Sequence, residues 1–462
     1  MQIINREWVS KDFKLIDNDT VHDFYEFSSM VDKWKHVLVN QFNAKKGSTF
    51  GFTICIIDIR YFSLFFACLE LGLKLVVYQR PYTYKDIDNY KIKVFKPLDI
   101  MVYNDGILNE VTEFFISSTA TQSFSIDKTQ LNNSIPMHID VLPDDILLLT
   151  TSSGTSDQPK VISHTHKFFY NLSKRNANAL SLCKNDRILH IRNMHHGSSV
   201  GVFFLPSLLA CDNHYYVNFD DENIEVLVQT IEKYKITKLL VPYNKLMNLL
   251  AEYLVNNDLK FPNLTVFNLS YLENKWVSLC KANYIKSVTS IFGCNETSGP
   301  IFLPSINATT SDNFDNTNVG FLVDDFYKVN ILYNSLYVYL ETYNKWINTE
   351  DLFSTTAYGY VFEGKNRLIR INDVEFSMSE VTSVVQQHVL VEHIVVLDQN
   401  NLYLAIFEDT EIVLDILNSY IHATLSPLIS ISKYAKLNYK DYLYGIKLDQ
   451  WKIKKYFRDN CD

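Results

Sequence analysis

The sequence predicts an α/β fold: a large N-terminal domain of layered α/β subdomains with a small β unit, followed by a small, mobile α+β domain. Three observations predict it. Apolar strands alternate with helix-spaced segments between residues 22 and 269. Residues 319–345 hold short alternating runs with no helix between them, the pattern of a small antiparallel unit. After Gly359 and Gly364 a fresh strand–helix rhythm begins, which places the domain boundary between 364 and 365. The expected domains are therefore 1–364 and 365–462.

Each element follows from its pattern. Phe24, Phe27, Met30, Val31, Trp34, Val37 and Leu38 recur at helical spacing within 22–45. A strand is expected over 52–57, then a helix over 62–71 with Gly72 as its cap, then a strand over 73–78. The same rhythm returns with a helix over 224–234 and a strand over 238–241, ended by Pro242. A further strand is expected over 264–269. In the C-terminal part, 380–389 and 412–425 read as helices, and 394–397 and 402–407 as strands.

Composition narrows the function classes. With 47% apolar and 21% charged residues, the chain is an ordinary globular protein. A formal net charge of −9 argues against bulk nucleic-acid binding. The seven cysteines are scattered and form no C-x-x-C, so neither a zinc ribbon nor a disulfide framework is expected. Residues 1–12 carry no apolar signal core, and the most hydrophobic stretch, 61–78, is broken by Glu70 and Lys74. A cytoplasmic protein without a membrane span is expected.

The most informative segment is Thr150-Thr-Ser-Ser-Gly-Thr-Ser-Asp-Gln-Pro-Lys160, directly after the apolar run Ile146 to Leu149. A buried strand here ends in a loop of small hydroxyl residues closed by a proline and a lysine. Such a loop turns backbone N–H groups and hydroxyls toward an anion, with an ammonium beside them. It is not a Walker A loop, because Pro159 precedes Lys160 and no Gly-Lys-Ser/Thr follows.

On these residues the chain resembles the adenylate-forming superfamily: acyl-CoA synthetases, aryl-acid ligases, luciferases and the adenylation domains of peptide synthetases. Ser152, Ser153, Gly154, Thr155, Ser156 and Lys160 match its phosphate loop, with Asp157 in place of the second glycine. Ile191-Arg-Asn-Met-His-His-Gly197 resembles the acyl-pocket loop, which implies His196 near the substrate carboxylate. Lys235 to Pro242 resembles a scaffold strand. Ile291-Phe-Gly-Cys-Asn-Glu-Thr297 resembles the aromatic-G-x-T-E segment. The resemblance implies that Phe292 stacks on adenine, that Gly293 and Asn295, which replaces a threonine, belong to the nucleotide site, and that Glu296 holds Mg²⁺ at the phosphates. Trp346 to Leu352 resembles W-x-x-T-G-D, which implies Asp351 on the ribose hydroxyls, with Glu350 where a glycine is expected. Gly364 to Glu380 resembles the hinge and its sequel, which places the hinge at Asn366 or Arg367 and puts Asp373 where a glycine is expected. Tyr444-Gly-Ile-Lys-Leu-Asp449 resembles the C-terminal G-K-I/V-D-R element, which implies Lys447 as the catalytic lysine.

The resemblance implies two half-reactions. A carboxylate attacks the α-phosphorus of ATP, giving acyl-AMP and pyrophosphate. A thiol then takes the acyl group. Alignment of Pro206 to Cys211 with P-x-L-L-x-G puts Ser198 where amino-acid-activating members carry an amine-pairing aspartate. An unpaired substrate ammonium in a dry pocket is costly, so an aryl, fatty or other non-amino acid is favoured. His196, Ser198 and Val200 are the expected pocket residues. The sequence runs only a short way past Lys447, so the acceptor, coenzyme A or the phosphopantetheine arm of a carrier protein, is expected in trans. Two other readings stand beside this one. One is amino-acid adenylation for a peptidyl carrier. The other is a degenerate member that binds nucleotide without turnover, motivated by Asp157, Asn295, Glu350 and Asp373.

Overall fold

The computed structural model describes residues 2–17, 19–53, 58–77, 97–132, 137–151, 161–191, 199–217, 223–241, 244–269, 272–294, 296–311, 318–332, 334–340, 344–357, 359–365, 368–371, 374–389, 391–398, 401–424, 429–444, 447–448 and 450–460. The chain forms two compact units, Met1–Tyr327 with Leu340–Tyr343, and Lys328–Tyr339 with Asn344–Asp462. The boundary expected at 364/365, where the sequence pattern changes, is a proposal for how the chain divides.

The first unit holds two large sheets. One runs in the order Ala120–Ser125, Leu98–Tyr103, Thr49–Thr53, Lys74–Val77, Ile146–Thr151, Val161–Thr165. Its pairs are parallel except the last, where Ile146–Thr151 and Val161–Thr165 run antiparallel. The other runs Ser305–Asn307, Ile285–Ser290, Phe261–Asn268, Lys238–Val241, Arg187–His190, Asn213–Tyr216, Lys14–Asp17, Thr20–Asp23. Only its two outer pairs are antiparallel. Parallel inner strands with helical crossovers are the α/β architecture that the sequence rhythm predicts.

The expected helices and strands lie where the patterns put them. The first long helix spans Phe24–Phe42, capped by Asp23, whose carboxylate accepts from Glu26 N at 2.9 Å. The next spans Ile59–Glu70 and is apolar on nearly every side. Such a helix must be enclosed. Its Phe62 and Phe65 rings meet Phe204 at 5.0 and 5.5 Å, and Phe66 meets Phe27 at 5.3 Å. Gly72 follows with φ +66°, the left-handed value a helix-ending glycine supplies. Residues 54–57 and 78, expected in strands, and Pro242 lie outside the described residues.

The second unit begins with the antiparallel hairpin Lys328–Leu332 with Ser335–Leu340, then Lys345–Thr356 with Gly359–Lys365. A hairpin of Leu368–Ile371 and Val374–Ser377 leads into a three-stranded sheet of His393–Asp398, Asn401–Ile406 and Ile431–Lys436. Alternation sorts the Asn401–Ile406 strand onto two cores. Leu402, Leu404 and Ile406 join Val381, Val385, Leu417 and Ile421 of helices Met378–His388 and Leu414–Thr424. Tyr403 and Ala405 join Ile453 and Phe457 of the Gln450–Asn460 helix.

Candidate active site

The hydroxyl loop is held at its base by strand pairing. Buried Leu147 and Leu148 fix the Ile146–Thr151 strand, and Thr151 pairs directly with Val161 across the loop. Residues 152–160, including Ser152, Ser153, Gly154, Thr155, Ser156, Asp157 and Lys160, lie outside the described residues. The strand after the loop feeds the His166–Ala179 helix, whose N-cap Thr165 accepts from Phe168 N at 3.2 Å.

The second candidate segment is a tight turn after strand Ile285–Ser290. Phe292 bridges to Phe302, with Ile301 N donating to Phe292 O at 2.7 Å and Phe292 N donating to Phe302 O at 3.1 Å. Thr297 is fully buried and closes the turn. Its Oγ1 accepts from Cys294 N at 3.1 Å and lies 2.9 Å from Cys294 O and 3.0 Å from Gly299 O. Ser298 adopts φ +48°, rare for a serine. Gly293 permits the fold-back, because a Cβ there would sit 2.2 Å from Gly299 O.

The rear of this turn is anchored from several elements. Tyr327 donates its hydroxyl to Thr297 O at 2.6 Å, and burial holds that phenol well above the ordinary tyrosine range. Arg175 donates to Pro300 O at 2.5 Å and through Nε to both oxygens of Asp324 at 2.8 and 2.9 Å. Asn176 donates to Gly201 O at 2.9 Å. Ser298 and Gly299 are buried, and a Cβ on Gly299 would press Asn176 and Leu172 at 2.8 Å. The front differs: Gly293 is exposed, and Phe292 and Glu296 are half-buried. Against this buried back, an aromatic residue, an exposed glycine backbone and one carboxylate residue stand at the more open front of the turn. That set fits a nucleotide base beside a hard cation on phosphate oxygens, since Mg²⁺ takes one or two carboxylates plus phosphates rather than a protein cage. Among the described residues no group of three or more acidic, histidine or cysteine side chains could cage a metal.

His164 joins these two segments. It is 1% exposed on the strand after the loop, and its Nε2 lies 3.1 Å from Ser298 Oγ and 3.4 Å from Thr150 Oγ1. The sequence reading missed His164, Arg175, Asn176 and Tyr327. The pair His164 and His166, two residues apart just after the hydroxyl loop, was the one available signal.

The acyl-pocket loop 192–198, with His196 and Ser198, lies outside the described residues. The elements on either side of it are described. Val200 is fully buried at the start of the Val200–Phe204 helical turn. Leu189, His190, Ile191, Ser199, Phe203, Phe204 and Leu240 line a cavity of about 20 Å³, room for one water. Ser199 Oγ is buried and has no hydrogen-bond partner among the described residues. His190 continues into a buried relay. His214 Nε2 donates to Cys211 O at 3.1 Å, so its Nδ1 accepts, and His190 Nε2 donates to it at 3.1 Å. Burial pushes both imidazoles down, His214 to about 4.

In the second unit, Asp351 is 3% exposed on Lys345–Thr356, opposite Lys365. Lys447 lies in a two-residue strand opposite Tyr444, ahead of the Gln450–Asn460 helix. Asn295, Asn366, Arg367 and Asp373 lie outside the described residues.

The fold is shared with solved adenylating enzymes. The chain aligns with a McyG A-PCP structure complexed with phenylalanyl-adenylate at TM-score 0.75 and 16% identity, covering 99% of this chain and 96% of that one. It aligns with the O-succinylbenzoate coenzyme A synthetase MenE from Bacillus subtilis, in complex with ATP and magnesium ion, at TM-score 0.74 and 16% identity, covering 97% and 98%. The anthranilate CoA ligase AuaEII, in complex with anthranoyl-AMP, aligns at TM-score 0.70 and 14% identity, covering 99% and 98%. No curated protein matches the chain in sequence. The model of the AMP-binding enzyme family, however, matches residues 12–334. That span contains the hydroxyl loop, the acyl-pocket loop and the Phe292–Thr297 turn, and on it the chain belongs to the AMP-binding enzyme family.

Proposed function

We propose that the chain activates a non-amino carboxylic acid with ATP and passes the acyl group to a thiol. The turn at Phe292–Gly299 carries this reading, since its buried back with exposed Gly293 and half-buried Phe292 and Glu296 suits a nucleotide with its cation. Phe292 stacks on adenine, and Asn295 lines the same segment. Glu296 holds Mg²⁺, which neutralises phosphate charge when bound. Ser152, Ser153, Gly154, Thr155, Ser156 and Lys160 cradle the phosphates, and Asp351 accepts from the ribose hydroxyls. His196, Ser198 and Val200 belong to the acid pocket. Lys447 meets the charge that builds on the α-phosphate and the attacking carboxylate.

Attack by the carboxylate forms the acyl–phosphate bond and expels pyrophosphate. Attack by the thiol then forms the thioester and expels AMP. The protein positions the reactants and compensates charge. Residues 365–462 act as the lid that delivers Lys447, hinged at Asn366 or Arg367. The thiol belongs to coenzyme A or to a carrier phosphopantetheine supplied in trans. Both acceptor types have precedent in the McyG A-PCP structure and in the coenzyme A synthetase MenE. Among the described residues no helix is long and apolar enough to cross a membrane, and we place the enzyme in the cytoplasm.

ATP–pyrophosphate exchange across a panel of aryl, fatty, keto and amino acids tests the reading. Exchange with a non-amino acid is expected. Exchange with amino acids alone would assign the chain to peptidyl-carrier loading instead. ATP binding without exchange for any acid would mark a nucleotide-binding member without turnover.

A further inference from the structure

We propose that His164 is a positioning residue that ties the Glu296 turn to the foot of the hydroxyl loop. The proposal rests on the ATP-site reading above. Its basis is one buried imidazole nitrogen shared by two hydroxyls from different segments. Ser298 Oγ lies 3.1 Å from His164 Nε2, and Thr150 Oγ1 lies 3.4 Å from it. Ser298 follows Thr297 in the turn that presents Glu296. Thr150 stands two residues before the hydroxyl loop, on the strand that pairs with His164's own.

The surroundings argue that the imidazole is there for these bonds. Its position is 1% exposed, and the ring lies against Phe168 at 5.0 Å and Phe169 at 5.4 Å. Packing alone is met by leucine or isoleucine at less desolvation cost. The neighbouring inward residue of the same strand, Ile162, is such an apolar side chain. Ser298 also needs holding, because its φ of +48° is a conformation serine seldom adopts. Tyr327 and Arg175, the latter on the helix that follows His164's strand, hold the turn through Thr297 O and Pro300 O. Neither of those side chains nor Asn176 reaches the loop strand in the bonds described. His164 supplies that link, so the cation carboxylate and the phosphate loop keep one spacing while the α-phosphorus is attacked.

A double-mutant cycle on the full chain tests this. His164→Leu and Ser298→Ala are each compared with wild type, and the pair is then combined. Each single variant should raise the KM for ATP in pyrophosphate exchange about tenfold, with the KM for the acid within about twofold. The double variant should be no worse than about the poorer single, because both remove the same bond. His164→Gln, which keeps a polar end, should recover most of the ATP effect. If His164→Leu does not fold, Ser298→Ala alone tests the bond, and it should show the tenfold rise in ATP KM that His164→Gln lacks. Equal rises in both KM values, or effects that multiply in the double variant, would overturn the proposal. If wild type exchanges with no acid, the ligase reading fails on its own. Equilibrium ATP binding to the same four proteins then decides the His164 link by the same non-additivity.

Discussion

The buried His190–His214 relay makes stability fall in mild acid. His214 Nε2 donates to Cys211 O and its Nδ1 accepts from His190, so the folded relay holds neutral rings. Burial pulls His214 from 6.5 to about 4. The folded value lies below the unfolded one, so the unfolded chain takes up the proton first as pH drops. The stabilisation is therefore complete above about pH 6.5 and lost progressively toward pH 4. Between pH 7.5 and 5.0 this one residue should remove roughly 2 kcal/mol. His190 is shifted the same way by burial and by His214. Urea unfolding at the two pH values measures the loss, with His214→Gln as the comparison. The variant should start less stable at pH 7.5, having lost its part in the relay, but lose about 2 kcal/mol less on acidification. Equal losses in both proteins would refute the assignment of a buried, neutral His214.

Two further predictions concern the site. Gly293→Ala places a Cβ 2.2 Å from Gly299 O, a backbone atom that cannot swing aside. The turn must open, at about 1–3 kcal/mol, so a lower unfolding temperature and weaker ATP-dependent exchange are expected. An unchanged Tm together with unchanged exchange would contradict the close approach. Lys447→Ala should lower the rate of acyl-AMP formation by ~10²–10³ with ATP affinity nearly kept. Exchange at the wild-type rate would remove Lys447 from its role.

The fold was legible wherever hydrophobic period was strong. The helix over 224–234 and the strand over 238–241 coincide with the observed elements. The helix in 22–45 narrows to Phe24–Phe42, because Asp23 caps one end and Asn43 at φ +51° ends the other. Strands Leu98–Tyr103 and Ala120–Ser125 were not read, because Asp99, Gln122 and Ser123 interrupt the apolar pattern at exposed positions. At the candidate site, motif order singled out Phe292 and Glu296 for testing but not the side chains packed behind them. Tyr327 lies 30 residues from the carbonyl it holds, and Asp324 lies 149 residues from Arg175. Such partners are set by tertiary packing, which no local pattern records. His164 was hidden for the same reason, since its hydroxyl partner Ser298 is 134 residues away.

The central claim is chemical: this chain joins a carboxylate to AMP. Incubation with ATP, Mg²⁺ and a mixed pool of acids, followed by mass spectrometry, reads it directly. The account predicts an acyl-AMP whose acyl part derives from a non-amino acid, formed with one pyrophosphate and lost in Lys447→Ala. An adenylate carrying only amino-acid acyl groups, or ATP bound with no adenylate from any acid, would contradict it.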